Sequence, residues 1–201
     1  MGDRIHDWIP IWSNEVGRVG RWKIAPVWDQ PDFTRFVLKE MRKGIRAMRR
    51  RDYPKAVLAL ENVVAEEPER TEIWFRLGNA RLWTDDPGGA VEAYERVIEQ
   101  EPGNTDAWLM LGNSYQSQGR LDEAEAIYAK TIELGQELDD LPIAASAAYN
   151  LGNIHFRARR WPEAIAHYEI AVALNPWHLH APTFLEEAQL QLQRSRSEPA
   201  P

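Results

Sequence analysis

The sequence predicts an all-α solenoid of stacked helical hairpins, and three observations predict it. Gly44, Gly78 and Gly112 stand 34 residues apart, and Gly152 follows after 40. Twelve residues beyond each glycine comes an alanine (Ala56, Ala90, Ala124, Ala164), and four further on a large apolar residue (Leu60, Tyr94, Tyr128, Tyr168). Pro68, Pro102 and Pro176 then close three of the four units. A fixed period of this length marks hairpins that bury too little surface alone and must stack to form a core.

Residues 1–34 lie ahead of the repeat. Pro10, Pro26 and Pro31, with Gly17 and Gly20, interrupt any long helix, so this arm is expected to be mostly irregular. It holds Trp8, Trp12, Trp22 and Trp28 of the nine tryptophans in the chain. A solvated tail does not sustain that much aromatic surface. Three destinations stand open: packing on its own solenoid, docking on a partner through tryptophan anchors, or lying at a membrane surface.

The units follow at 37–70, 71–104, 105–144 and 145–178. In each, a glycine on the first helix lets the second approach closely, and the facing alanine is expected to serve the same purpose. Trp74, Trp108, Leu77, Leu111 and Leu151 fill wider gaps on the apolar stripe at helical spacing. The closing prolines end the second helices. Pro54 and Pro162 start second helices, where the missing N–H costs little. The step into the fourth unit is six residues too long, which predicts longer helices flanking residues 131–141. Residues 179–193 form a first helix with no partner, as an end cap does. The polar, proline-ended stretch 194–201 is expected to be a disordered tail.

This pattern resembles the tetratricopeptide repeat (TPR) family, whose signature runs Trp, Leu-Gly, Tyr, then Ala, an aromatic and Pro. The second unit carries Trp74, Leu77, Gly78, Ala90, Tyr94 and Pro102. The third carries Trp108, Leu111, Gly112, Tyr115, Ala124 and Tyr128, with Gln136 in place of proline. The fourth keeps Leu151, Gly152, Ala164, Tyr168 and Pro176, with Ala148 at the Trp position. The first departs most, with Glu40 and Lys43 for Trp and Leu. The resemblance implies a right-handed solenoid of four such repeats with a C-terminal capping helix.

It also implies a concave groove lined by the first helices, which takes an extended peptide or a partner helix. Transferred to this chain, the groove positions are Met41, Ile45, Phe75, Arg76, Asn79, Trp83, Leu109, Met110, Asn113, Tyr149, Asn150, Asn153 and Phe156, with Met48, Leu82 and Gln116 beside them. Asn79, Asn113 and Asn153 recur at one place. They form either an amide ladder for a bound backbone or bonds within their own repeats. Some family members clamp a C-terminal carboxylate with Lys and Arg, and those positions hold Met41, Asp106, Met110, Phe75, Ser146 and Asn150 here. Without cations such a clamp lacks its charge-assisted bonds.

The net charge of −7 over 201 residues hides an asymmetry. From Arg35 to Lys55 nine basic residues face only Glu40 and Asp52, a local +7 that leaves −14 elsewhere. The stretch, with Arg42, Lys43, Arg46, Arg49, Arg50 and Arg51 at its centre, reads as a solvated face or as a docking surface for an acidic protein or anionic membrane. An acidic chain with one basic helix is a poor nucleic-acid binder.

No cysteine is present, so disulfides and thiol chemistry are excluded. His178 and His180 lack a third metal ligand. No phosphate-cradling glycine loop and no Ser/His/Asp set stands out, and no signal peptide or 18-residue apolar run is visible. The expectation is a non-enzymatic scaffold, adaptor or assembly factor without metal or cofactor. Its partners would be proteins within a larger complex, and its address cytoplasmic. The alternative is a membrane-peripheral protein whose arm and basic helix contact anionic lipid.

Overall fold

The computed structural model describes residues 8–12, 22–26 and 35–197. It divides into two units, one ending at Lys39 and one beginning at Glu40.

In the first, strands β1 (Trp8–Trp12) and β2 (Trp22–Pro26) pair antiparallel, with Trp12 opposite Trp22 and Trp8 opposite Pro26. An arm expected to be mostly irregular therefore contains a hairpin. Backbone pairing across the strands gives these short segments the hydrogen bonds that a helix broken at Pro10 and Pro26 would forfeit. Helix α1 (Arg35–Arg49) runs across the boundary between the units.

The second unit continues α1 through α2 (Tyr53–Glu66), α3 (Thr71–Trp83), α4 (Pro87–Gln100), α5 (Thr105–Ser117), α6 (Leu121–Glu137), α7 (Leu141–Arg157), α8 (Trp161–Leu174) and α9 (Ala181–Ser197). Odd helices open the hairpins and even ones close them. Pro54, Pro87, Pro142 and Pro162 occupy first-turn positions, where their fixed φ suits a helix start. Helices α6 and α7 are 17 residues long against 13 or 14 for α2 to α5, which is where the extra residues of the third step go.

Each hairpin turns in the same way. Seven residues beyond each glycine, Arg51, Asp85, Gly119 and Arg159 take positive φ, between 58° and 74°. The next N–H reaches back to the preceding helix: Asp52 to Ala47, Asp86 to Arg81, Arg120 to Tyr115 and Arg160 to His155, at 2.9–3.0 Å. Only Gly119 is built for that left-handed conformation.

The close approach within a hairpin has a different partner from the one expected. A methyl group added at Gly78, Gly112 or Gly152 would stand 2.8, 2.5 or 2.6 Å from the ring of Tyr94, Tyr128 or Tyr168. The glycine makes room for the tyrosine, and the alanines pack beside it, fully buried. In the first hairpin Leu60 fills that place.

Hairpins join through the second helix of one and the first of the next: α2 on α3, α4 on α5, α6 on α7 and α8 on α9. Two places seven residues apart on each receiving helix are buried throughout: Ile73 and Ala80, Ala107 and Ser114, Ala147 and Ile154, Ala181 and Ala188. Trp74 and Trp108 donate Nε1–H to the carbonyls of Pro68 and Pro102, at 2.7 and 2.9 Å. At the longer third step Ala148 stands at the tryptophan position, so this bond has no counterpart there.

The cap differs in extent from the expected 179–193. Helix α9 runs to Ser197, so 194–197 are helical and not part of a disordered tail. Residues 198–201 lie outside the described residues.

Candidate functional site

The face to consider is the row of side chains on successive first helices. Its regular feature is a bond from the second helix of each of the last three hairpins. Tyr94 Oη donates to Asn79 Oδ1 at 2.9 Å, Tyr128 to Asn113 at 2.7 Å and Tyr168 to Asn153 at 2.8 Å. These tyrosines are fully buried, and burial pushes their hydroxyls well above the usual tyrosine range. A neutral phenol needs an acceptor, and the asparagine carbonyl supplies it. The ladder is therefore bonded within its own repeats through Oδ1. That orientation leaves each amide nitrogen on the opposite side. Among the described residues no acceptor takes Nδ2 of Asn79 or Asn153. Nδ2 of Asn113 lies 3.8 Å from Met110 Sδ, and Nδ2 of Asn150 donates to Asn113 Oδ1 at 2.9 Å, tying α7 to α5. The 15-residue spacing from Asn to Tyr, repeated three times, was the available sequence signal.

The remaining expected groove residues divide. Phe75, Met110, Tyr149 and Phe156 are half-buried, as are Ile45, Met48, Leu82 and Gln116. Phe75 lies edge-on to Tyr94 at 5.7 Å. Arg76 is half-buried and bonded to Glu72, with Nη2 at 2.7 Å, so it is not an open cation in the groove. Met41 and Leu109 are corrections: at 1% and 6% exposure they belong to the core, Leu109 among Ala124, Tyr128, Leu151 and Ile154. A residue that packs its own hairpin cannot also be offered to a ligand. Tyr149 is partly covered by His178 of the chain leading into α9, at 4.9 Å, and by Phe184 of α9 itself, at 5.6 Å. Trp83 stands at the end of α3, 69% exposed, stacked on Tyr53 at 5.3 Å. Near the start of α5, burial and then the charge of Asp140 hold the Asp106 carboxyl above its usual range.

Of the basic residues, Arg42, Arg46, Arg49, Arg50 and Arg51 are exposed. Lys43 is the exception, since its Nζ bonds to the buried Glu40 carboxylate at 3.0 Å, which also accepts from Asn62 Nδ2. Glu40 and Lys43 thus replace the apolar Trp–Leu pair by an ion pair. For Trp8, Trp12 and Trp22 only the strand backbone is described, and Trp28 lies outside the described residues.

A histidine pair escaped the sequence reading. His155 on α7 and His167 on α8 stack at 5.0 Å with 12° between the rings, and Nδ1 of each is buried without a hydrogen bond. Glu125 of α6 approaches His155 to 4.0 Å and pairs with Arg160 at 2.6 Å. Among the described residues no group of three His, Cys, Asp or Glu forms a metal cage, and no helix is long and apolar enough to cross a membrane.

A family model described as tetratricopeptide repeat matches residues 105–176, and a second of the same description matches residues 41–103. No curated protein sequence matches the chain. Among solved structures it is similar to the MamA protein, at 17% identity over 83% of this chain and 97% of that one, with a TM-score of 0.61. It is also similar to YrrB, described as a TPR protein with an unusual peptide-binding site, at 21% identity over 73% of each chain and a TM-score of 0.63. A third is the C-terminal part of a TPR repeat-containing protein from Cytophaga hutchinsonii, at 19% identity over 77% of this chain and 61% of that one, TM-score 0.66. At these identities the likeness is one of fold.

Proposed function

We propose that this chain, which belongs to the tetratricopeptide repeat family, is a protein-interaction scaffold that holds an extended peptide along the face of α3, α5 and α7. One observation carries the reading. Buried tyrosines take the carbonyl oxygens of Asn79 and Asn153 and leave Nδ2 of each as a donor with no acceptor among the described residues. Donors held in fixed orientation at one place in separate repeats suit the carbonyls of a bound main chain, and such contacts tolerate many sequences. Between them Phe75, Met110, Tyr149 and Phe156 offer half-buried apolar surface for the peptide's side chains. The peptide-binding site named for YrrB is in keeping with this use of the fold. The mode is uncharged: Arg76 is already paired with Glu72, so a carboxylate clamp has no cation there.

The test is a substitution that removes the donor and keeps the acceptor. In Asn79→Asp and Asn153→Asp the tyrosine retains an oxygen to donate to, so the hairpin stays intact, while the amide N–H is lost. Peptides selected on the wild-type chain from a display library should lose about tenfold or more in affinity with the double variant. Selected peptides that bind the double variant as tightly as wild type would defeat the proposal, as would failure to select any.

A further inference from the structure

The buried joints between hairpins point to a second surface. At every joint the receiving helix buries small or apolar residues at two places seven apart, Ile73 and Ala80 through Ala181 and Ala188, under the closing helix of the hairpin before it. Counted from the repeat glycine, the corresponding places on α1 hold Lys39 and Arg46, and both are exposed. Every exposed residue from Lys39 to Arg51 is cationic: Lys39, Arg42, Arg46, Arg49, Arg50 and Arg51. Lys43, the remaining cation of that stretch, is turned inward to Glu40.

We infer that the outward face of α1 docks an acidic helix of a partner protein, laid where the closing helix of a preceding hairpin would lie. The place is a helix seat by its register, since the same face of α3, α5, α7 and α9 receives a helix. Long cations at the two contact places forbid the close apolar approach of the internal joints, and they call for carboxylates at longer reach. Five of the six exposed cations are arginines, whose planar fork pairs with carboxylates through two parallel bonds. A bilayer is the weaker fit. Amphipathic helices that enter an interface carry a continuous apolar face beside their charges, whereas among the described residues α1 exposes one large apolar side chain, Phe36 at its start, and none between Lys39 and Arg51. The inference extends the scaffold reading to a surface outside the peptide face, so either can fail without the other.

The experiment uses the full chain and a fluorescent Glu-rich helical peptide with carboxylates three and four residues apart, so that they share one face. Binding is read by anisotropy at low salt and at about 0.15 M salt. Wild type should bind, with affinity falling as salt rises. Arg46→Gln, Arg49→Gln and Arg50→Gln together should weaken binding about tenfold or more. The same three positions changed to Lys should lose less than the Gln variant, because the charge remains although the planar fork is lost. Circular dichroism confirms that both variants fold. Asn79→Asp with Asn153→Asp should leave this binding unchanged, which separates it from the peptide face. The inference is overturned if wild type ignores the peptide, if the Lys variant loses as much as the Gln variant, or if Asn79→Asp with Asn153→Asp weakens this binding as much as the Gln variant does. It also falls if vesicles containing phosphatidylserine bind through these arginines while the peptide does not.

Discussion

Replacing Gly112 by alanine sets two opposed effects against each other, and the structure decides which prevails. In a helix interior alanine is favoured over glycine by about 1 kcal/mol. Against this, the new methyl would lie 2.5, 2.7 and 3.1 Å from three ring atoms of Tyr128. That ring cannot give way cheaply. It is fully buried, and its hydroxyl is held by Asn113 Oδ1 at 2.7 Å with Gln116 Oε1 at 2.8 Å. Overpacking of this kind costs about 1–3 kcal/mol, so the net is a loss of about 0–2 kcal/mol, and the 2.5 Å contact with a held ring puts Gly112→Ala towards the upper end, up to about 8 °C in Tm for a chain of this size. Gly152→Ala, 2.6 Å from Tyr168, should behave alike, and Gly78→Ala, 2.8 Å from Tyr94, somewhat less so. Gly44→Ala is the discriminating control. Its neighbour is the branched end of Leu60, 2.9 Å away, which can rotate, so the helical gain should roughly cancel the crowding. Urea unfolding followed by circular dichroism measures all four. If Gly112→Ala is at least as stable as wild type, or Gly44→Ala is the most damaging of the set, the glycine–tyrosine interlock is not what fixes the hairpin spacing.

The left-handed turns give a stabilising change. Arg159 is exposed with φ 58°, so Arg159→Gly should raise stability by about 0.5–1 kcal/mol, read as a higher urea midpoint, and a lower midpoint would count against that turn geometry. The histidine pair gives a pH dependence. Burial, then the neighbouring Arg160, lowers His155, and burial, then His155, lowers His167, while Glu125 opposes both and Glu163 opposes the first. With folded values depressed below the ordinary value of about 6.5, the unfolded chain binds more protons. Stability is therefore full above that pH and is lost as pH falls through the depressed values. His178 is lowered as well, by burial and His180, and adds in the same direction. Tm measured from pH 8 down to pH 5 should fall, and His155→Gln with His167→Gln should flatten part of the fall; an unchanged slope would remove the pair from the explanation.

Much of the architecture was legible before any coordinates. The glycine period located every hairpin, the prolines marked helix starts and ends, and the excess of residues after Thr131 announced two long helices, as α6 and α7 are. These are local consequences of backbone chemistry repeated at fixed spacing, which a one-dimensional reading can follow. The candidate site was less legible. Met41 and Leu109 sit at positions that the family pattern offers to a ligand, yet side-chain packing draws both into the core. Lys43 counts as positive charge in the sequence and is spent on Glu40 three residues away. Strand pairing in the arm requires two segments ten or more residues apart to meet, and no period announces it.

The sequence by itself determined that this chain is a stack of helical hairpins at a regular spacing, and that an excess of positive charge lies at the first helix. Those properties depend on residue type and spacing alone. Only the tertiary structure decided that tyrosine fills the space beside Gly78, Gly112 and Gly152, that the asparagine carbonyls are taken internally while Nδ2 of Asn79 and Asn153 is left without an acceptor among the described residues, and which cations stay exposed on α1. Each of those outcomes depends on which side chain of a neighbouring helix or turn comes within bonding distance, and packing settles that after the helices have formed.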